Sequence, residues 1–313
     1  MNTKNELAGN HSFKRVGQKT VQIKTAELLA DGNHVLKTIK LKQVQCSDDF
    51  IKRTATRPST GELDYSNGII PFNQSPGAVD IGMNNVPVLD QGQEGTCVTF
   101  AATGALDAIL GQGDFVSQQC SLELGSALGT DYWNGADYAS EIIDPLKQYG
   151  LVSQTNCDNQ YPVAEAQIDI PTYQSLADPK VTAANIDYTY VSGMSLALVK
   201  EALHLGHRVT IGFGLHVNQN DPISIQGFDT KVAGQPTTGG LWACKQNSSH
   251  SNYCGVPTDG HDVIVIGYDD AQQLLKIRNS WNTSVGDNGD FYMTYTFFEK
   301  MSGDGTKIFN TVS

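Results

Sequence analysis

The chain has 313 residues, 39% hydrophobic and 17% charged, the balance of a globular protein with a buried core and length for two domains or for one domain with an appended segment. Its net charge of −12 is uneven: residues 1–60 carry eleven Lys/Arg and five Asp/Glu, while residues 61–313 carry ten and 28. The acidic body argues against nucleic acid as a partner, and no apolar run approaches the roughly 20 residues of a membrane-spanning helix. The opening "MNTKNELAGNHSFKRVGQKT" lacks the apolar block of a secretory signal, which implies either an intracellular protein or one whose signal has been removed.

Residues 20–44 alternate as strands around the turn-rich "ADGN", predicting a basic β-hairpin. Residues 57–78 are rich in Gly, Pro, Ser and Asn and read as a linker with one apolar knot, Ile69 to Phe72. The hairpin and linker look separable from the rest of the chain, and the opposite charges of the two parts suggest that they attract each other. From Ala78 the pattern turns helical. Thr96 is placed to cap a helix over 97–111, and further helices are expected over 117–128, over 138–150 with a bend or restart at Pro145, and over 195–206. Strands are expected over 208–213, 261–268, 274–281 and 290–298, and the polar stretch 218–260 reads as an excursion from their sheet. Helices first and strands later define an α+β body with two lobes.

The six cysteines stand at 46, 97, 120, 157, 244 and 254, with no CxxC pair, which speaks against zinc and thioredoxin-type chemistry. A disulfide between Cys244 and Cys254 would staple a polar loop, Cys120 and Cys157 offer a second pair, and Cys46 is then odd; such pairing requires an oxidising compartment. Cys97 differs in opening a helix, where thiolate charge is favoured. A nucleophilic cysteine needs a base. His11 and His34 lie in the basic segment, His204 and His207 flank a helix end, and His216 and His250 fall in or beside the excursion. His261 follows a glycine and opens the apolar strand "HDVIVIGY"; one strand later Asn279 stands at a strand end beside Trp281. An asparagine carbonyl can hold an imidazole in the useful tautomer while a neighbouring indole keeps water from that bond.

In these residues the body, from about 76 to the end, resembles the papain-like cysteine peptidases: a glutamine six residues before a helix-opening cysteine, then a histidine starting a core strand, then Asn-Ser-Trp. "WNGADY" over 133–138 is similar to the family's cleft-lining loop. The resemblance implies a two-lobed α+β fold, a helical lobe carrying the nucleophile and a sheet or barrel lobe carrying histidine and asparagine. It implies Cys97 as nucleophile, His261 as its partner and proton donor, Asn279 as orienter, and the Gln91 amide with the Cys97 N–H as oxyanion donors. Substrate would lie along Gly135, Ala136, Asp262 and Trp281, with no metal or cofactor. Val98, Glu94 and Ala136 stand where the family usually has tryptophan, a half-cystine and glycine. Asp262 comes directly after the histidine, where the family often has a small residue lining the pocket for the second substrate residue. It is expected either to make that pocket acidic and tolerant of Lys or Arg, or to face solvent or cap a loop.

The implied organisation is an inhibitory pro-segment over 1–75, atypical in containing a hairpin, and a peptidase domain over 76–313. The knot "GIIPF" is the expected cleft-occupying stretch, with a strand packing on the body as the alternative, and acid is expected to release the segment by protonating carboxylates. The implied function is a secreted or lysosome-like endopeptidase acting on polypeptides through an acyl-enzyme and made as a zymogen. Acyl transfer or isopeptide chemistry on the same site, and a silent binding protein, are the alternatives.

Overall fold

The computed structural model describes residues 11–56, 63–65, 67–215, 230–231, 238–244, 254 and 256–311. The basic hairpin forms as expected but is longer. Strands β1 (Phe13–Leu28) and β2 (His34–Cys46) pair antiparallel from Phe13↔Cys46 to Leu28↔His34. In the turn the Leu29 N–H donates to the Asn33 carbonyl and the Asp31 carboxylate accepts the Asn33 N–H. One face of the hairpin is apolar, and Val21, Ile23, Ile39 and Leu41 are buried in a core shared with the sheet lobe. Helix α1 (Asp48–Thr56) comes next, which the pattern did not announce.

The apolar knot packs on the body. Ile69 and Phe72 are buried with Leu241, Ala243, Leu274 and Tyr292 in a small core of their own. The Gln272 side chain takes the Ile70 N–H and returns a bond to the Ile70 carbonyl. The knot therefore does not fill the cleft in this structure: Ile69 and Phe72 are committed to this core, and Ile70 is half exposed.

The helical lobe is built around α2 (Cys97–Leu110), in which every residue from Cys97 to Ala108 is buried, as an all-round apolar helix must be. Gly104 lets α2 come close to the sheet: a Cβ there would lie 3.2 Å from Ile264 Cδ1. Thr96 does not cap α2; its hydroxyl meets Tyr161 Oη at 2.9 Å instead. Against α2 pack α3 (Gln118–Ala127), capped by Ser117, then α4 (Ala139–Tyr149), which runs unbroken through Pro145, and the short α5 (Ile170–Leu176). Disulfides join Cys120 to Cys157 and Cys244 to Cys254, leaving Cys46 and Cys97 free.

The other lobe holds β3 (Val79–Asp80), β4 (Ile186–Val191), α6 (Leu196–His204), β5 (Arg208–Leu215), β6 (Thr230–Lys231), β7 (Thr238–Trp242), β8 (Asp259–Asp269), β9 (Leu274–Arg278), β10 (Asp290–Thr294), α7 (Tyr295–Met301) and β11 (Ser302–Asn310). The sheet runs β4-β11-β5-β8-β9-β10-β7-β6, with β3 and the hairpin joined to β8. The expected strand over 290–298 is cut at Thr294, whose side chain accepts the Phe297 N–H and starts α7. A threonine cap outweighs the β preference of the neighbouring aromatics. Strand β9 likewise ends at Arg278, so Asn279 lies just beyond it. The hairpin continues the sheet: β2 pairs with β8 at Lys42↔Gly260 and Gln43↔Asp259, immediately before His261. Among the described residues no helix is long and apolar enough to cross a membrane. The expected excursion over 218–260, with His250, lies mostly outside the described residues, as does His216.

Candidate active site

Helix α2 and strand β8 bring the thiol and the imidazole to one place. Cys97 is the first residue of α2, and its sulfur lies near the backbone of Asp262 and Val98, so it is beside the residue next to His261 in the chain. His261 Nε2–H donates to Asn279 Oδ1 at 2.7 Å, and the same oxygen accepts the Ser280 N–H at 2.8 Å. That bond fixes the tautomer: the proton sits on Nε2 and the lone pair on Nδ1, which has no hydrogen-bond partner among the described residues. Trp281 stacks on the imidazole at 4.5 Å and 24°, fully buried. It packs over the His261–Asn279 pair, and its indole is enclosed with Trp242 and Phe291 in the sheet-lobe core.

Gln91 is tied to the Asn279–Trp281 segment. Its N–H donates to the Ser280 carbonyl, and its side-chain oxygen accepts from Ser280 Oγ at 2.7 Å. The amide nitrogen, the expected oxyanion donor, is spent on the Glu94 carbonyl at 2.9 Å. Tyr161, which donates to the Gln91 carbonyl and also meets Thr96, holds this loop from the helical lobe; its role had no signal in the sequence.

The hairpin lies across this site and touches both lobes. Lys42 reaches Asp262 Oδ2 at 2.7 Å and the Ala136 carbonyl at 3.2 Å. Lys40 pairs with Glu94 at 3.0 Å and Lys37 with Asp90 at 2.7 Å, while Arg15 donates to the Asn134 carbonyl. Gly135 adopts φ +106, and a Cβ there would meet Lys42 Cδ at 3.1 Å, so the cleft-lining loop needs its glycine where the lysine passes. The Gln18 carboxamide rests on Gly95 just before Thr96 and Cys97. Glu94, where the resemblance lacks its half-cystine, is thus a hairpin partner. Asp262 faces inward onto Lys42 rather than solvent.

Burial sets the protonation of the covered pair. It pushes the Cys97 thiol up to about 11, against the pull of Lys42, and pushes His261 down to about 3, against the help of Asn279. Both groups are neutral near pH 7, and the thiolate–imidazolium form is suppressed while the hairpin is in place. An unfolded imidazole accepts a proton below about 6.5, whereas the covered one refuses it down to about 3. A depressed histidine therefore costs stability as the pH falls through that window. We expect the melting temperature of the full chain to decline from pH 6.5 toward 4, and His261→Asn to flatten the decline; equal slopes would contradict this. Burial pushes the Asp262 carboxyl up, and the Lys42 ammonium bonded to it pulls it back down.

No family model matches the chain. In sequence it is 26% identical over 220 residues to the thiol protease aleurain of Arabidopsis thaliana, a match covering 66% of this chain and 52% of that protein. It is 24% identical over 213 residues to cysteine proteinase 3 of Dictyostelium discoideum, covering 66% and 55%. The chain thus spans about half the length of these curated relatives. Among solved structures, xylellain, a cysteine protease from Xylella fastidiosa, aligns with TM-score 0.54 at 17% identity, over 80% of this chain and 94% of that one. Digestive procathepsin L 3 of Tenebrio molitor aligns with TM-score 0.50 at 18% identity, over 87% and 83%. The fold is the two-lobed papain-like one. In sequence as in fold, the chain resembles the papain-like cysteine peptidases.

Proposed function

We propose that the chain is a cysteine endopeptidase that hydrolyses peptide bonds through an acyl-enzyme on Cys97 and is held in check by its own N-terminal hairpin. One observation carries the reading: His261 is bonded through Nε2 to Asn279 with Nδ1 unpartnered, and the Cys97 thiol, at a helix start, lies beside Asp262, the next residue in the chain. In this reading His261 takes the thiol proton, and the thiolate attacks the peptide carbonyl. The imidazolium protonates the leaving amine, and water then releases the acyl group. The Cys97 N–H, together with the Gln91 amide once it leaves the Glu94 carbonyl, would hold the oxyanion.

The hairpin supplies the restraint. Four buried aliphatic side chains, at about 1.5–3 kcal/mol each, outweigh the exposed ion pairs, at about 0–1 kcal/mol each. Charge attraction places the hairpin and apolar burial holds it, which makes cleavage of the chain, rather than acid alone, the fitting release. Two disulfides fit an oxidising, secreted or lysosome-like compartment. Transfer to an amine acceptor shares the same thioester. Beside Cys97 the Lys42 amine is held protonated, because Asp262 and neighbouring negative charge overcome its burial, and it is no nucleophile there.

The test is incubation of the full chain with an unstructured protein substrate, with and without a competing primary amine. We expect a lag, the appearance of a shortened chain, and then fragments ending in free carboxylates. Amine-capped fragments as the main product would favour transfer, and no cleavage would sink the peptidase reading.

A further inference from the structure

The space that Lys42 enters is built for a long cationic side chain. Asp262 and Lys42 are 8% and 7% exposed in their side chains, and the ammonium meets two acceptors from opposite lobes, the Asp262 carboxylate and the Ala136 carbonyl. Two further carboxylates, Asp137 and Asp304, line the same space. Asp304 is engaged by the Ser12 N–H and hydroxyl and by the Gly193 N–H, whereas the exposed Asp137 adds negative charge near Lys42. The walls are cut back to backbone where the side chain passes. Gly135 flanks the lysine stem, and Gly212, opposite Asp262 in the β5–β8 register, would carry a Cβ only 3.3 Å from its carboxylate.

We propose that this pocket selects a lysine side chain of the substrate, and that Lys42 is the chain's own occupant of it. Two acceptors converging on one nitrogen suit a compact ammonium; a planar guanidinium needs paired acceptors in its plane. An uncharged side chain of the same length leaves the Asp262 carboxylate buried without a counterion. The proposal rests on the peptidase reading for what the substrate is, and on this geometry for which side chain it carries.

Two measurements test it. In full-length Lys42→Ala, n-propylammonium replaces the deleted atoms; we expect a saturable rise in melting temperature that 1-propanol does not give and that Lys42→Ala/Asp262→Asn lacks. Equal shifts with the alcohol, or with the double variant, would overturn the proposal. The wild-type chain, after its lag, is then given peptides differing only in lysine, arginine or norleucine. We expect kcat/KM for lysine to exceed norleucine by about tenfold or more and to exceed arginine, with Asp262→Asn collapsing the ratio. Cleavage with ratios near one would overturn the proposal alone. Absence of any cleavage would remove the peptidase reading, and the substrate assignment with it.

Discussion

Replacing Cys97 by serine is expected to lower kcat/KM for a peptide substrate by about 10⁴-fold or more, and adding His261→Ala to lower it little further. The non-additivity is the informative part. If the sulfur attacks only after His261 takes its proton, either change alone removes the same step. If His261 instead served only to pack the β8 strand, the two losses would multiply, because they would act on different things. The fold leaves room for a clean comparison. Cys97→Ser changes one atom in a buried position, beside the backbone of Asp262 and Val98. Kinetics of both single variants and the double variant on one peptide decide the matter, and independent, multiplying losses would count against the pair.

The second large effect concerns the covered state. Lys42→Glu places a carboxylate against buried Asp262, and breaking a buried ion pair typically costs about 3–5 kcal/mol. That is enough to raise the population of the uncovered site by about 10²-fold or more, read as the rate of Cys97 alkylation by iodoacetamide at pH 7, with peptide mapping to separate Cys97 from the other free thiol, Cys46. Lys37→Glu is the control. Its partner Asp90 is 41% exposed in its side chain, so the change is expected to alter the rate by about threefold or less. Equal rates in the two variants would show that the Lys42 anchor contributes nothing to the cover.

These expectations divide along the line between what local pattern reveals and what only assembly reveals. Helix α2 was legible because a mostly apolar, helix-forming run ending in Gly111 reads as a buried helix. Asn279 was legible because it stands just past a strand end, and His261 because it heads the apolar run of β8, although that strand begins two residues earlier, at Asp259, and His261 pairs with Phe213 inside the ladder. Lys42 was not. In an alternating strand a lysine reads as solvent-facing, and it is buried here because Asp262, 220 residues further on, and the Ala136 carbonyl meet it. The periodicity placing Lys40 and Lys42 on one face was visible, but not what that face would meet. Hydrophobicity alone pointed to Ile69–Phe72 as the cleft-filling stretch, although a small core claims those side chains. Charge asymmetry suggested that the basic segment and the acidic body attract; the apolar face of the same hairpin, Val21, Ile23, Ile39 and Leu41, does most of the holding. The pH dependence moves accordingly, from carboxylates in general to His261. Trp281 illustrates a third limit: sequence placed it beside the histidine, but not in the aromatic core with Trp242 and Phe291.

The most direct test of the central claim is to trap the acyl-enzyme. A peptide 4-nitrophenyl ester, whose acylation outruns deacylation, is mixed with the Lys42→Glu chain, quenched in acid within milliseconds, and analysed by intact mass and peptide mapping. The account predicts a mass increase equal to the acyl group, located on Cys97 and absent from the same chain carrying Cys97→Ser. Turnover of the ester with no adduct on Cys97, or with the adduct on Cys46, would contradict it.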